Sequence, residues 1–163
     1  MQNNTFSGLY IGQKLIVIDE VESTNDYLKN IMSNIKPLAE GTAIMARHQT
    51  KGKGQRGNHW QSKAGENLTL SILLYPEEVS VHDQFILSVL SSLSVYAVLS
   101  QYLSDVRIKW PNDLMVGDKK IGGILIENSI RQQHIKTAIV GIGININQRD
   151  FGAALQGRVC SMS

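Results

Sequence analysis

Apolar residues in this chain come in short runs separated by capping and turn residues. Lys14 to Asp19 is a brief β-rich run, and Glu22-Ser23-Thr24-Asn25 behind it offers side chains that cap helix N-termini. Leu28, Ile31, Met32 and Ile35 then fall at i, i+3, i+4 and i+7, one apolar helical stripe with Pro37 just past its end. Thr42 to Arg47 and Leu68 to Tyr75 read as strands, so the segment between them joins strand to strand. A helix is expected near residues 83 to 103, then short strands near Val106 to Lys109 and Gly122 to Asn128, and a third run from Lys136 to Asn145. Strands outnumber helices, which predicts an α+β fold: a mixed, mainly antiparallel sheet with helices packed on one face. At 163 residues, with no internal repeat or linker, the chain is expected to be a single domain, 1–163.

Phe85 to Leu103 carries no charge and, at about 1.5 Å per residue, is nearly long enough to cross a bilayer. Ser88, Ser91, Ser92, Ser94, Ser100 and Gln101 make the run too polar for that. They predict a buried helix with a small-residue face, and no membrane partner.

The net charge is only +2, yet between Arg47 and Gly65 there are five Lys or Arg and no Asp or Glu. Positive charge is thus concentrated in Lys51-Gly52-Lys53-Gly54-Gln55-Arg56-Gly57-Asn58-His59-Trp60, where glycines let the backbone approach a ligand closely. One aromatic beside the charges and a near-neutral total argue against a nucleic-acid partner. The single cysteine, Cys160, cannot form an internal disulfide, and Met1 to Gln13 lacks the apolar centre of a signal peptide. A cytoplasmic location is expected.

Gly52-Lys53-Gly54-Gln55-Arg56-Gly57 has the letters of a dinucleotide-binding fingerprint, but that motif opens a helix and here a strand follows. A kinase-type glycine loop does join strands, but no His-Arg-Asp or Asp-Phe-Gly segment follows it. Alone, the loop reads equally well as a solvated hairpin. Lys109-Trp110-Pro111-Asn112-Asp113 suggests a turn that gathers polar side chains, or an ordinary hairpin turn. Gly122-Gly123 within Lys120–Glu127, and the alternation Gly141-Ile142-Gly143-Ile144-Asn145, mark either a tight approach to the backbone or a bend in the sheet. His48, His59, His82 and His134 lack metal-ligand spacing.

Together, and in this order, Ser23-Thr24-Asn25, Gln49 with its Gly-basic-Gly loop and Trp60, Lys-Trp-Pro-Asn-Asp, Lys-Ile-Gly-Gly-Ile-Leu-Ile-Glu and Gly-Ile-Gly-Ile-Asn resemble the catalytic domain of biotin protein ligases, from about Leu15 to the last residue. The resemblance implies a class II synthetase-like fold of the biotin/lipoate ligase type. It implies that biotin and MgATP give biotinyl-5′-AMP and pyrophosphate, and that a lysine of a biotin carboxyl carrier domain, as in acetyl-CoA carboxylase, then takes the biotin. Catalytic roles fall by similarity on Lys120, Lys53, Arg56 and Asp113, the last orienting the incoming lysine or contributing to metal binding. Biotin would be held by Ser23, Thr24, Asn25, Gln49, Gly52, Lys53, Lys120 and Gly123, and ATP or the adenylate by Arg56, Trp60, Asn112, Lys120 and Asn145. Magnesium would arrive with ATP rather than on a protein site, and a homodimer is compatible with the pattern.

The chain departs from the family where Lys53, Gln55 and Asn58 replace arginines of the glycine loop. With about thirteen residues before the first strand and a stop shortly after Phe151, the resemblance also leads us to expect neither the N-terminal DNA-binding domain nor the C-terminal β-barrel of some relatives, hence a C-terminally shortened catalytic domain. Two other readings accompany the ligase: a biotin-binding remnant without catalysis, and a lipoate or octanoyl transferase of the same superfamily.

Overall fold

The computed structural model describes residues 11–34 and 38–163. Ile35 and Pro37 of the expected helical stripe, and residues 1–10 of the N-terminal segment, lie outside them. The chain runs β1 (Leu15–Val21), α1 (Thr24–Asn34), β2 (Ala43–Gln49), a miniature hairpin of β3 (Gly52–Lys53) and β4 (His59–Trp60), β5 (Asn67–Leu74), α2 (Phe85–Leu99), β6 (Val106–Lys109), β7 (Asp113–Val116), β8 (Lys119–Arg131) and β9 (His134–Asn145). Seven strands form one sheet in the order β1-β2-β5-β9-β8-β7-β6. Only β1 and β2 pair in parallel. A parallel pair needs a crossover, and α1 provides it.

Two strand boundaries differ from those expected. Asp113 opens a strand, β7, rather than sitting in a turn, and β8 reaches from Lys119 to Arg131, well beyond the 122–128 expected. The helices also divide between the two faces of the sheet instead of sharing one. Leu28 of α1 packs with Ile44, Leu73 and Ile139, whereas Leu87 of α2 packs with Ala138, beside Leu74 and Ile126. Leu73 and Leu74 are consecutive on β5, as Ala138 and Ile139 are on β9, and consecutive strand residues point to opposite faces. The pattern contains both apolar sets, because Ile72-Leu73-Leu74 of β5 and Ala138-Ile139-Val140 of β9 are unbroken apolar runs, as strands covered on both sides have.

α2 is not the buried helix that its serines suggested. Only Leu87, Ser92 and Leu99 are buried. The small-residue side, Ser88, Ser91 and Ser92, does turn toward the sheet, but the other side leaves Ile86 47%, Leu90 55%, Leu93 49% and Val98 54% exposed. Val81–Leu99 has the length and mean hydropathy, 1.3, of a bilayer-crossing segment, although one side of it is docked on the sheet.

Candidate active site

α1 begins where Ser23 caps it. Tyr27 N–H donates to the Ser23 carbonyl at 2.9 Å, and Asp26 N–H points to Ser23 Oγ at 3.4 Å. This start fixes three buried polar residues, Ser23, Thr24 and Asn25, at the end of β1. Buried polar groups must find partners, and here they find one another. Thr24 donates from its N–H and its hydroxyl to Gln49 Oε1 at 2.8 and 3.0 Å. Ser71 Oγ, fully buried on β5, lies 2.5 Å from Asn25 Oδ1 and 2.7 Å from Thr24 Oγ1. Asn25 Nδ2 donates to Glu127 Oε2 at 2.7 Å.

The glycines of the third motif give these side chains room. A Cβ on Gly141 would come within 2.5 Å of Asn25 Oδ1, and one on Gly143 within 2.5 Å of Trp60 Cε2. Of the two readings of Gly-Ile-Gly-Ile-Asn, tight packing against the backbone is therefore the correct one. The object packed there is the protein's own Asn25 and Trp60.

A bulge sets Lys120. Leu114 pairs with Gly122 but Met115 pairs with Lys120, so β8 carries one extra residue, Ile121. The bulge turns Ile121 into the apolar cluster with Leu114 and Ile144, and brings Lys120 to the face that holds Asp113 and Gly123. Lys120 Nζ lies 2.5 Å from Asp113 Oδ1 and would be 3.3 Å from a Cβ on Gly123. The Lys120 backbone is fixed from the other side, since its N–H donates to the Arg158 carbonyl and its carbonyl accepts from Cys160 N–H, both at 2.9 Å. The Trp110–Pro111 peptide is cis. Asn112 after it is tied to β8, its Nδ2 donating to the Ile124 carbonyl at 2.8 Å.

These elements enclose a cavity of about 280 Å³. Its lining includes Ser23, Thr24, Asn25, Gln49, Lys53, Arg56, Trp60, Asn112, Asp113, Lys120 and Gly123, so segments far apart in the chain meet on one space. Gly52 and Asn145 do not line it. Gly52 lies behind, where a side chain would strike the Trp60 backbone, and Asn145 is buried at the end of β9, donating to the Cys160 carbonyl at 3.0 Å. Its Oδ1, also buried, has no hydrogen-bond partner among the described residues, so only half of the Asn145 amide is engaged by the C-terminal segment.

Sequence reasoning overlooked four residues around the cavity. Ser71 and Glu127 anchor Asn25, and Asp26 holds Lys53. The fourth, Trp110, lies at the rim, 73% exposed, with its ring 6.2 Å from that of Phe85. A signal for Ser71 was present: Thr69 and Ser71 put polar side chains on one face of an otherwise apolar strand.

Chemically, the cavity changes from one end to the other. Ser23, Thr24 and Asn25 are at most 4% exposed and uncharged, whereas Lys53, Arg56 and Lys120 bring positive charge to a more open region. The Asp26 carboxylate beside Lys53 holds that ammonium above the usual lysine range, so Lys53 stays charged at neutral pH. Two lysines are already paired, Lys53 with Asp26 and Lys120 with Asp113, while Arg56 has no such ion pair among the described residues. Arg56 also has a left-handed backbone, φ 55° and ψ 37°, which costs a non-glycine residue about 1 kcal/mol or more. Trp60 Nε1 is buried without a hydrogen-bond partner, an unmet donor in the cavity wall. The arrangement suits a ligand with a neutral hydrogen-bonding head and an anionic tail.

Comparison with known proteins agrees with this chemistry. Residues 17–145 match the model of the biotin/lipoate A/B protein ligase family. The bifunctional ligase/repressor BirA of Bacillus subtilis is 33% identical over 156 residues, 94% of this chain and 47% of that protein. The biotin--[acetyl-CoA-carboxylase] ligase of Paracoccus denitrificans is 33% identical over 128 residues, 76% of this chain and 52% of that protein. Among solved structures, the biotin protein ligase from Aquifex aeolicus in complex with biotin and ATP superposes with a TM-score of 0.77 at 35% identity, covering 92% of this chain and 60% of that one. The chain thus spans about half the length of the curated relatives it matches. Its sheet order, its converging motifs and these similarities make it a member of the biotin/lipoate A/B protein ligase family.

Proposed function

We propose that this chain carries the active site of an ATP-dependent biotin protein ligase. The observation that carries the reading is the single cavity with a buried, neutral, hydrogen-bonding end and a cationic end. Biotin matches both ends with its ureido ring and its carboxylate. Ser23, Thr24, Asn25 and Gln49 hold the ureido group, because a buried polar head requires matched partners. Lys120 and Lys53 receive the carboxylate, with Gly123 keeping the space beside Lys120 clear and Gly52 letting the Trp60 backbone pass close behind the cavity wall.

A carboxylate is a poor acyl donor, so it first attacks the α-phosphorus of ATP, releasing pyrophosphate and forming biotinyl-5′-AMP. The amine of an acceptor lysine then attacks the carbonyl, forming the amide and releasing AMP. Both steps need anions gathered and oriented more than they need a protein nucleophile. Arg56, Trp60 and Asn112 line the space that the adenylate would fill, and the unmet Trp60 Nε1 supports a polar ligand there. Asn145 assists from outside the cavity by holding the Cys160 carbonyl.

Magnesium enters on the triphosphate. A magnesium ion carried by phosphates needs only one or two protein carboxylates, and Asp113 is the carboxylate that lines the cavity. Asp113 accepts from the incoming amine in this reading, and its ion pair with Lys120 supports a position beside the reacting groups. The acceptor is a biotin carboxyl carrier domain of a carboxylase, such as acetyl-CoA carboxylase, in the cytoplasm, where the unpaired Cys160 stays reduced.

Isothermal titration with biotin, before and after ATP, together with biotin-dependent pyrophosphate release, tests the proposal. Biotin binding that tightens when MgATP is added, with pyrophosphate released, is the expected result. Biotin binding without release would leave a binding protein, and indifference to biotin would reject the reading altogether.

A further inference from the structure

Asp26 has no role in the chemistry above and does not line the cavity. It stands in the first turn of α1, where the helix N-terminus favours a carboxylate. Its two oxygens lie 2.6 and 2.8 Å from Lys53 Nζ, and one of them lies 3.6 Å from Lys29 Nζ. Lys29 in turn is 2.5 Å from Glu127, whose other oxygen holds Asn25 at 2.7 Å. The row Lys53–Asp26–Lys29–Glu127–Asn25 thus runs from the cationic loop to the buried end of the cavity.

In this arrangement the ammonium that faces the cavity from β3 is already engaged by a carboxylate. A carboxylate ligand and Asp26 must compete for it. Lys53 and Asp26 keep 46% and 33% of their side-chain surface open to water. A pair so exposed is weak and exchanges readily.

We propose that Asp26 is a positioning residue that sets the selectivity of the cavity for anionic ligands by competing with them for Lys53. The inference rests on the biotin-ligase reading. With Asp26 present, a ligand gains from Lys53 only the difference between two carboxylate contacts. Without Asp26, it gains the whole contact.

The test compares biotin with its uncharged methyl ester by titration calorimetry at low ionic strength. Asp26→Asn is expected to tighten biotin binding by roughly two- to fivefold, the scale of an exposed ion pair, and to leave the ester unchanged. Asp26→Ser, which also removes the charge, should repeat the effect and takes its place if Asp26→Asn is poorly folded. In a Lys53→Met background, Asp26→Asn should have no effect on biotin. Equal tightening of acid and ester, no tightening of either, or a gain that persists without Lys53 would each overturn the role of Asp26. Failure of the wild-type chain to bind acid and ester alike would instead reject the biotin reading beneath it.

Discussion

Trp60 and Gly143 occupy adjoining space so closely that a methyl group on the glycine would reach within 2.5 Å of the indole. The ring is part of the cavity wall, so the shape of the site depends on a missing side chain in the strand behind it.

Gly143→Ala should therefore displace Trp60 and cost about 1–3 kcal/mol, as overpacking of a close contact does. Urea unfolding gives the stability change. Fluorescence in a Trp110→Phe background, which leaves Trp60 as the one tryptophan, reports the ring. An unchanged spectrum together with unchanged stability would show that the contact yields freely.

Arg56 has a backbone conformation that glycine adopts without strain. Arg56→Gly is expected to lose no stability and to gain up to about 1 kcal/mol, while retention of biotinyl-adenylate falls by roughly ten- to a hundredfold through the lost charge-assisted contact. Thermal melts and adenylate release rates separate the two effects. A large loss of stability with normal retention would reverse the assignment of Arg56 from ligand to fold.

Lys120 and Asp113 must be tested as a pair. Lys120→Ala should lower adenylation by roughly ten- to a hundredfold or more, the worth of one charge-assisted hydrogen bond at ~1.5–3 kcal/mol. It also leaves the Asp113 carboxylate facing the incoming anion. Biotin affinity should accordingly recover in part when Asp113→Asn is added to Lys120→Ala. Near-normal turnover of the single variant would remove Lys120 from the site.

Burial pushes the Cys160 thiol above its usual value, and the nearby Lys119 offsets only part of that. Burial disfavours the thiolate, so the neutral thiol persists to higher pH than it does in the unfolded chain. Alkylation by iodoacetamide should be slower in the folded chain at pH 7.5 than in urea, with a rate midpoint above that of an ordinary thiol, about 8.5. A midpoint at or below that value would contradict the packing of the C-terminal segment on β8.

The order of strands and helices could be read from the sequence, because β5 alternates polar and apolar residues from Asn67 to Ile72 and β9 carries the β-branched run Ile139–Ile144 broken only by its two glycines. Most of the cavity could be read too, since Ser23, Gln49, Asn112 and Lys120 stand in motifs of unusual composition. The direction of Lys120 could not. It depends on the bulge at Ile121, and between Lys119-Lys120 and Gly122-Gly123 there is no regular alternation that an inserted residue would break. Asn145 is expected at the ligand through the resemblance, and its local sequence does not show that packing gives its Nδ2 to the Cys160 carbonyl while its Oδ1 is left without a partner among the described residues. The ion pair of Asp26 with Lys53 joins residues 27 positions apart, and nothing in either local sequence names the other.

The outward stripe of α2, with Ile86, Leu90, Leu93 and Val98 open to water and no Asp, Glu, Lys, Arg or His along the helix, changes how this protein will behave at the bench. A surface of this kind binds anilinonaphthalene sulfonate and phenyl resins while the chain is fully native. Dye fluorescence, the usual sign of a molten core, would here report an intact helix, and Leu90→Lys should quench it without moving the unfolding midpoint.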